Sequence, residues 1–144
     1  MAEALLESVE GRKLALDVLS RKRSEVLARI PENDTPGSSF YAFTKQTRKK
    51  YFTAYLGLLQ AALEDRDTTD FLGNETFQSY SHAKNGYALK DVLCVPGVVK
   101  NSLLSVVKDM VDDGEVGPGA AFQCALLLNE VLGQAESIRA QSYT

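Results

Sequence analysis

At 144 residues, with 44% apolar and 24% charged, the chain is long enough to bury one core and too short for two, and neither disordered nor fibrous by composition. Its net charge of -3 is spread along the sequence, and the densest basic run, residues 45–50, is followed by Glu64, Asp65, Asp67 and Asp70, which argues against nucleic acid as a partner. The longest apolar runs, residues 92–99 and 120–128, fall far short of the ~20 residues a membrane helix requires, and the acidic start MAEALLESVEGRK lacks a signal peptide's basic region. One domain over residues 1–144, in the cytoplasm and without a membrane partner, is the expectation.

Residues 3–30 place Leu5, Leu6, Val9, Leu16, Leu19, Val26, Leu27 and Ile30 mostly three and four apart, the spacing of an amphipathic helix. Gly11 weakens its first turns, so the ordered helix is expected to start near Ser8 or kink there, and Pro31 is expected to end it. The segment PENDTPGSS reads as a loop. A second helix, capped by Ser38 or Ser39, is expected to reach about Asp65 with Phe43, Tyr51, Tyr55 and Leu59 toward the core. Thr68 or Thr69 caps a third, with Phe71, Leu72, Phe77, Tyr80 and Ala83 as core contacts and Asn85-Gly86 as its left-handed stop. A short helical stretch over residues 88–95 then leads into Pro96, placed at the first turn of a helix that runs through Leu103 to Val111 and stops at DDGEVGPG. The last helix starts near Pro118; Ala121, Cys124, Leu128, Val131, Ala135, Ile138 and Ser142 alternate by three and four, a heptad seam whose second half is expected to face a partner. No segment alternates with period two between turn signals, so the class is all-α.

Chemistry-bearing motifs are few. The single histidine, His82, excludes every metal motif that needs two, and no Gly-x-Ser-x-Gly elbow exposes a nucleophile; a hydrolase is therefore the least favoured class and no catalytic residue is named. Gly114, Gly117 and Gly119 lack the preceding strand and the Lys-Ser/Thr pair of a phosphate loop. Asp112, Asp113 and Glu115 lack the alternating ligands of a calcium loop and read as solvated helix-end charge. Cys94 and Cys124 stand alone and read as buried reduced thiols, and Lys45, Arg48, Lys49 and Lys50 are spread around their helix as a solvated face. No metal site is expected.

The segment FQSYSHAKNGYALKDVL, followed by VVKNSLLSVVKDM and ALLLNEVLGQAESIRAQSY, resembles the N-terminal helical domain of the RsbR and RsbRD regulators of bacterial stress responses, also found ahead of sensor kinases. The likeness lies in a helix ending on Ala83, Lys84 and Gly86, a short leucine-bearing helix over residues 89–93, then two long helices; it covers roughly the C-terminal half. It implies a globin-like bundle of about five to six helices with a long C-terminal helix, a signal-input domain without haem or catalysis, joined through that helix to an output domain. A competing likeness is to haem-binding globin-coupled sensors, in which a histidine is followed by a basic residue two positions on and a glycine four on, as at His82, Lys84 and Gly86. That likeness implies haem on His82 and a gas or redox sensor.

The favoured expectation is a sensory domain that binds a partner or a small apolar ligand and biases its C-terminal helix. Candidate pocket residues are Phe43, Tyr51, Tyr55, Phe77, Tyr80 and Leu103; the candidate homodimer and signalling seam is Leu128, Val131, Ala135 and Ile138.

Overall fold

A computed structural model of the chain describes residues 9–33, 45–87 and 89–143. Six α-helices, and no strand, occur among them: α1 Val9–Arg21, α2 Arg23–Asn33, α3 Lys45–Asp65, α4 Thr69–Lys84, α5 Leu89–Asp112 and α6 Pro118–Ser142. The helix start foreseen near Ser8 and the caps foreseen at Ser38 or Ser39 lie outside the described residues. Among the described residues, no helix is long and apolar enough to cross a membrane.

The helix foreseen over residues 3–30 is two, bent at Lys22. Arg23 Nε donates to the Leu19 carbonyl at 3.0 Å across the bend. Salt bridges hold the bend from outside: Arg21 pairs with Asp17 at 3.0 Å and Glu115 at 2.6 Å, while Lys22 reaches Glu115 at 3.4 Å. Glu115 thus ties the α5–α6 connector to the α1–α2 junction, and Arg29, about two turns on, ties α2 to α5 through Asp109 at 2.5 Å and Ser105 at 2.8 Å. Pro31 does not end α2, which runs on to Asn33.

The helix α6 is the axis of the bundle, packed on α1, α4 and α5. Its crossing with α1 is close because Gly11 lacks a side chain: a Cβ there would stand 2.8 Å from the Gln123 carbonyl oxygen. The glycine that looked like a weak point of a helix is the contact that lets two helices meet. One continuous core joins Leu19, Ile30, Leu59, Phe71, Leu103 and Leu127, all 2% exposed or less. Each such side chain contributes about 1.5–3 kcal/mol by leaving water.

Two boundaries fall where turn chemistry puts them. Gly86, at φ 84°, ends α4, and Gly117 with Pro118 opens α6. A third does not: residues 89–112 form one helix with Pro96 inside it, not a short helix followed by a long one. A proline in a helix interior removes the N–H that would bond the carbonyl four residues earlier, here Val92. That carbonyl accepts instead from Arg139 Nη1 of α6 at 3.1 Å, so the missing bond is made by another helix and α5 continues.

Candidate functional site

Arg139 lies in the last turn of α6 and is fully buried. Besides Val92 of α5, its Nε donates to the Glu75 carboxylate of α4 and its Nη2 to the Tyr51 hydroxyl of α3 at 3.2 Å. Ser79 of α4 donates its hydroxyl to the Arg139 backbone carbonyl at 2.6 Å. One residue near the end of α6 therefore engages three other helices. Glu75, Ser79 and His82 reach it because they fall at i, i+4 and i+7 on the inward face of α4, and Tyr51 and Tyr55 because they are i and i+4 on α3.

The cluster is sealed. Glu75 and Ser79 are fully buried, Tyr55 is 2% exposed and His82 7%. The Arg139 guanidinium stands 5.7 Å from the centre of the Tyr55 ring, a cation over an aromatic face. The Tyr55 hydroxyl and one Glu75 oxygen are buried without a well-formed hydrogen bond, although the hydroxyl and the carboxylate perturb each other. Burial pushes the Glu75 carboxyl above its ordinary range, and the Arg139 charge, the nearby Tyr55 hydroxyl and the Arg139 hydrogen bond only partly pull it back. Burial likewise raises the Tyr51 and Tyr55 hydroxyls. Burial and then the Arg139 charge push His82 down to about 4, so its ring is neutral near pH 7. Arg139 is opposed by its own burial, but Tyr51, Glu75 and Tyr55 around it hold its proton more firmly than usual.

Chemically, the arrangement bonds the end of α6 to its three neighbours. Its hydroxyl with a short bond, Ser79, is spent on a backbone carbonyl, and its carboxylate is spent on an arginine. Among the described residues no three of His, Cys, Asp and Glu gather as a metal site. The surroundings of His82 do not fit a haem. Tyr87 stands edge-on to the imidazole at 5.2 Å, Tyr51 tilts against it at 6.1 Å, and Arg139 bears on it electrostatically, so a porphyrin would have to displace two rings beside a buried ion pair.

The foreseen pocket is not assembled. Tyr51 and Tyr55 belong to the polar cluster, Leu103 is 1% exposed in the core, and Phe43 lies outside the described residues. Phe77 and Tyr80 are 65% and 55% exposed on the outside of α4. Apolar residues on both faces of that helix made its inward side ambiguous; the face turned in is the one with Phe71, Glu75, Ser79 and His82. Clefts open at the surface among the described residues: one of about 620 Å³ lies between α2 and α3 beside Leu27, Lys49 and Phe52, one of about 490 Å³ lies beside Leu14, Gln60 and Ala120, and one of about 350 Å³ follows the outer side of α6 at Gly133 and Ser137. Tyr51, Tyr55, Phe77, Tyr80 and Leu103 line none of these.

The seam of α6 also needs correction. Leu128, Val131 and Ala135 are 1% exposed or less within a single chain, and Ile138 is half-buried. The first three face into the bundle, where α6 packs on α1, α4 and α5, and are not open to a second copy; Leu127 and Leu132 are buried too, so the bundle wraps more than one side of the helix. The inward line continues from Ala135 to Arg139, four residues on, and not to Ile138. A charged residue falling in register with an apolar seam was the available signal for this cluster, and Glu75, Ser79 and His82 at helical spacing were its counterpart. Set against protein families, curated proteins and solved structures, the chain has no significant match to any of them.

Proposed function

We propose that this domain is a non-catalytic signal-input module of the RsbR and RsbRD kind, which controls the position of its C-terminal helix and passes that position to a partner protein or output domain. The observation that carries the reading is Arg139, a fully buried charge near the end of α6 bonded to α3, α4 and α5. A buried ion pair is a poor stabiliser, since desolvation costs about as much as the charges return, and its best-attested use is to specify one register among alternatives. Here the alternatives are positions of α6: the pair is satisfied only when the helix end sits over Glu75 and the Val92 carbonyl. A small shift of any of the three neighbours is felt by α6, which suits a transmitter. The Gly86 stop supports the family likeness, whereas the short helix that the likeness places at residues 89–93 is merged into α5.

The experiment is a chimera in which Tyr143 is joined to the catalytic core of a dimeric sensor kinase. Glu75→Gln, which keeps the side-chain shape and removes the charge, is expected to change autophosphorylation about fivefold or more, the size of an ordinary coupling between sites. Equal rates from two folded chimeras would remove the support for transmission through α6.

A further inference from the structure

We propose that the outer face of α4 is a homodimer interface, on which two copies pack antiparallel about a two-fold axis through Phe77. The helix turns Glu75, Ser79 and His82 inward, and on the opposite side Asp70, Gly73, Phe77, Tyr80 and Lys84 form one stripe at i, i+3, i+7, i+10 and i+14. Phe77 and Tyr80 are 65% and 55% exposed, two large rings side by side on a helix that otherwise has inner partners for its apolar groups. Single exposed apolar residues are ordinary; adjacent aromatic rings on one stripe are an interface signature.

The occupant is a second copy because the stripe is its own complement. Reversing the helix about Phe77 sets Phe77 against Phe77, Lys84 against Asp70, and Tyr80 against Gly73. Gly73 has nothing within 4 Å of where a Cβ would be, so it forms an open notch able to take a ring. Lys84, whose ammonium lies 5.8 Å from the Tyr80 ring centre, stands at one end of the stripe and the acid at the other. An isologous contact requires this pairing of unlike ends. About four turns of helix on each side give an interface near the low end of the specific range, so the dimer should be weak, with Kd on the order of 10 µM. The inference stands on α4 alone and does not depend on the signalling proposal. Its consequence for that proposal is direct, since the dimer face and the Glu75 contact to α6 are opposite sides of one helix.

Sedimentation of the whole chain over a concentration series tests it. The wild type should dimerise, and Phe77→Glu should weaken association at least about tenfold while circular dichroism shows an unchanged fold. Asp70→Lys and Lys84→Asp should each weaken it, and the double swap Asp70→Lys with Lys84→Asp should restore it. Phe77→Cys should oxidise to a covalent dimer, because a residue on the axis meets itself within disulfide reach, whereas Gly73→Cys should not. A wild type that stays monomeric to about 1 mM, a dimer indifferent to Phe77→Glu, or a double swap no better than the single ones would each overturn the proposal.

Discussion

Replacing Glu75 by leucine strands the Arg139 guanidinium in the core, and arginine has no means of shedding its charge there. Leaving one partner of a buried pair uncompensated costs about 3–5 kcal/mol, a large share of the about 5–15 kcal/mol expected for a domain of this kind. Arg139→Met should cost less from the charge itself, because the Glu75 carboxyl is already raised and can take a proton; it exposes a different debt, the Val92 carbonyl that Pro96 cannot serve. A buried unpaired carbonyl costs about 1–3 kcal/mol. The double variant Glu75→Leu with Arg139→Met should therefore be much less destabilised than the sum of the singles, retaining mainly the carbonyl cost. Adding Pro96→Ala supplies an N–H to Val92, so it should recover about 1–3 kcal/mol more in the Arg139→Met background than in the wild type. Urea unfolding followed by circular dichroism reads all of these. A Glu75→Leu protein within about 1 kcal/mol of wild type, or a Pro96→Ala gain equal in both backgrounds, would refute the reasoning.

Other outcomes follow from single features. His82 takes its proton at about 4 when folded and at about 6.5 when unfolded, so acid favours the unfolded chain between those values and thermal stability should fall from pH 7 to pH 4. Glu75, with its raised folded value, works in the opposite sense, so the diagnostic is the difference from His82→Gln, which should show a shallower acid loss; parallel pH curves would contradict it. Gly11→Ala puts a methyl 2.8 Å from the Gln123 carbonyl and should cost about 1–3 kcal/mol in thermal melts. Gly133→Ala, with nothing within 4 Å, should gain up to about 1 kcal/mol from helix propensity. Burial pushes the Cys124 thiol up to about 12, so it should resist a thiol reagent at pH 8 until urea unfolds the chain; rapid native labelling at Cys124 would show the α6 core to be open.

The all-helical class, the Gly86 stop and the Pro118 start were legible because each rests on local pattern or on one residue's backbone preference. Pro96 was not. Read alone it marks a helix start, and the group that lets α5 continue comes from Arg139, on another helix. Gly11 was seen as a loss of helix propensity, but its use is steric and depends on Gln123. For α6 the spacing was right and its partner was not, since a heptad seam describes packing inside a bundle as well as packing across a dimer. The polar cluster was hidden for a related reason: aromatic residues on α4 drew the inward face toward Phe77 and Tyr80, whereas the charge at Glu75 and the serine at Ser79 are what turn inside. Buried charge becomes interpretable only once its partner is placed.

Arg139 fixes the last turns of α6 against α4 and α5, and amide hydrogen exchange in Glu75→Gln tests that most directly. Exchange at residues 135–142 should quicken about tenfold or more, with a smaller rise in the turn that holds Val92, while α1 and α2 stay within about twofold of wild type. Uniform acceleration across all six helices, or unchanged protection at residues 135–142, would contradict it.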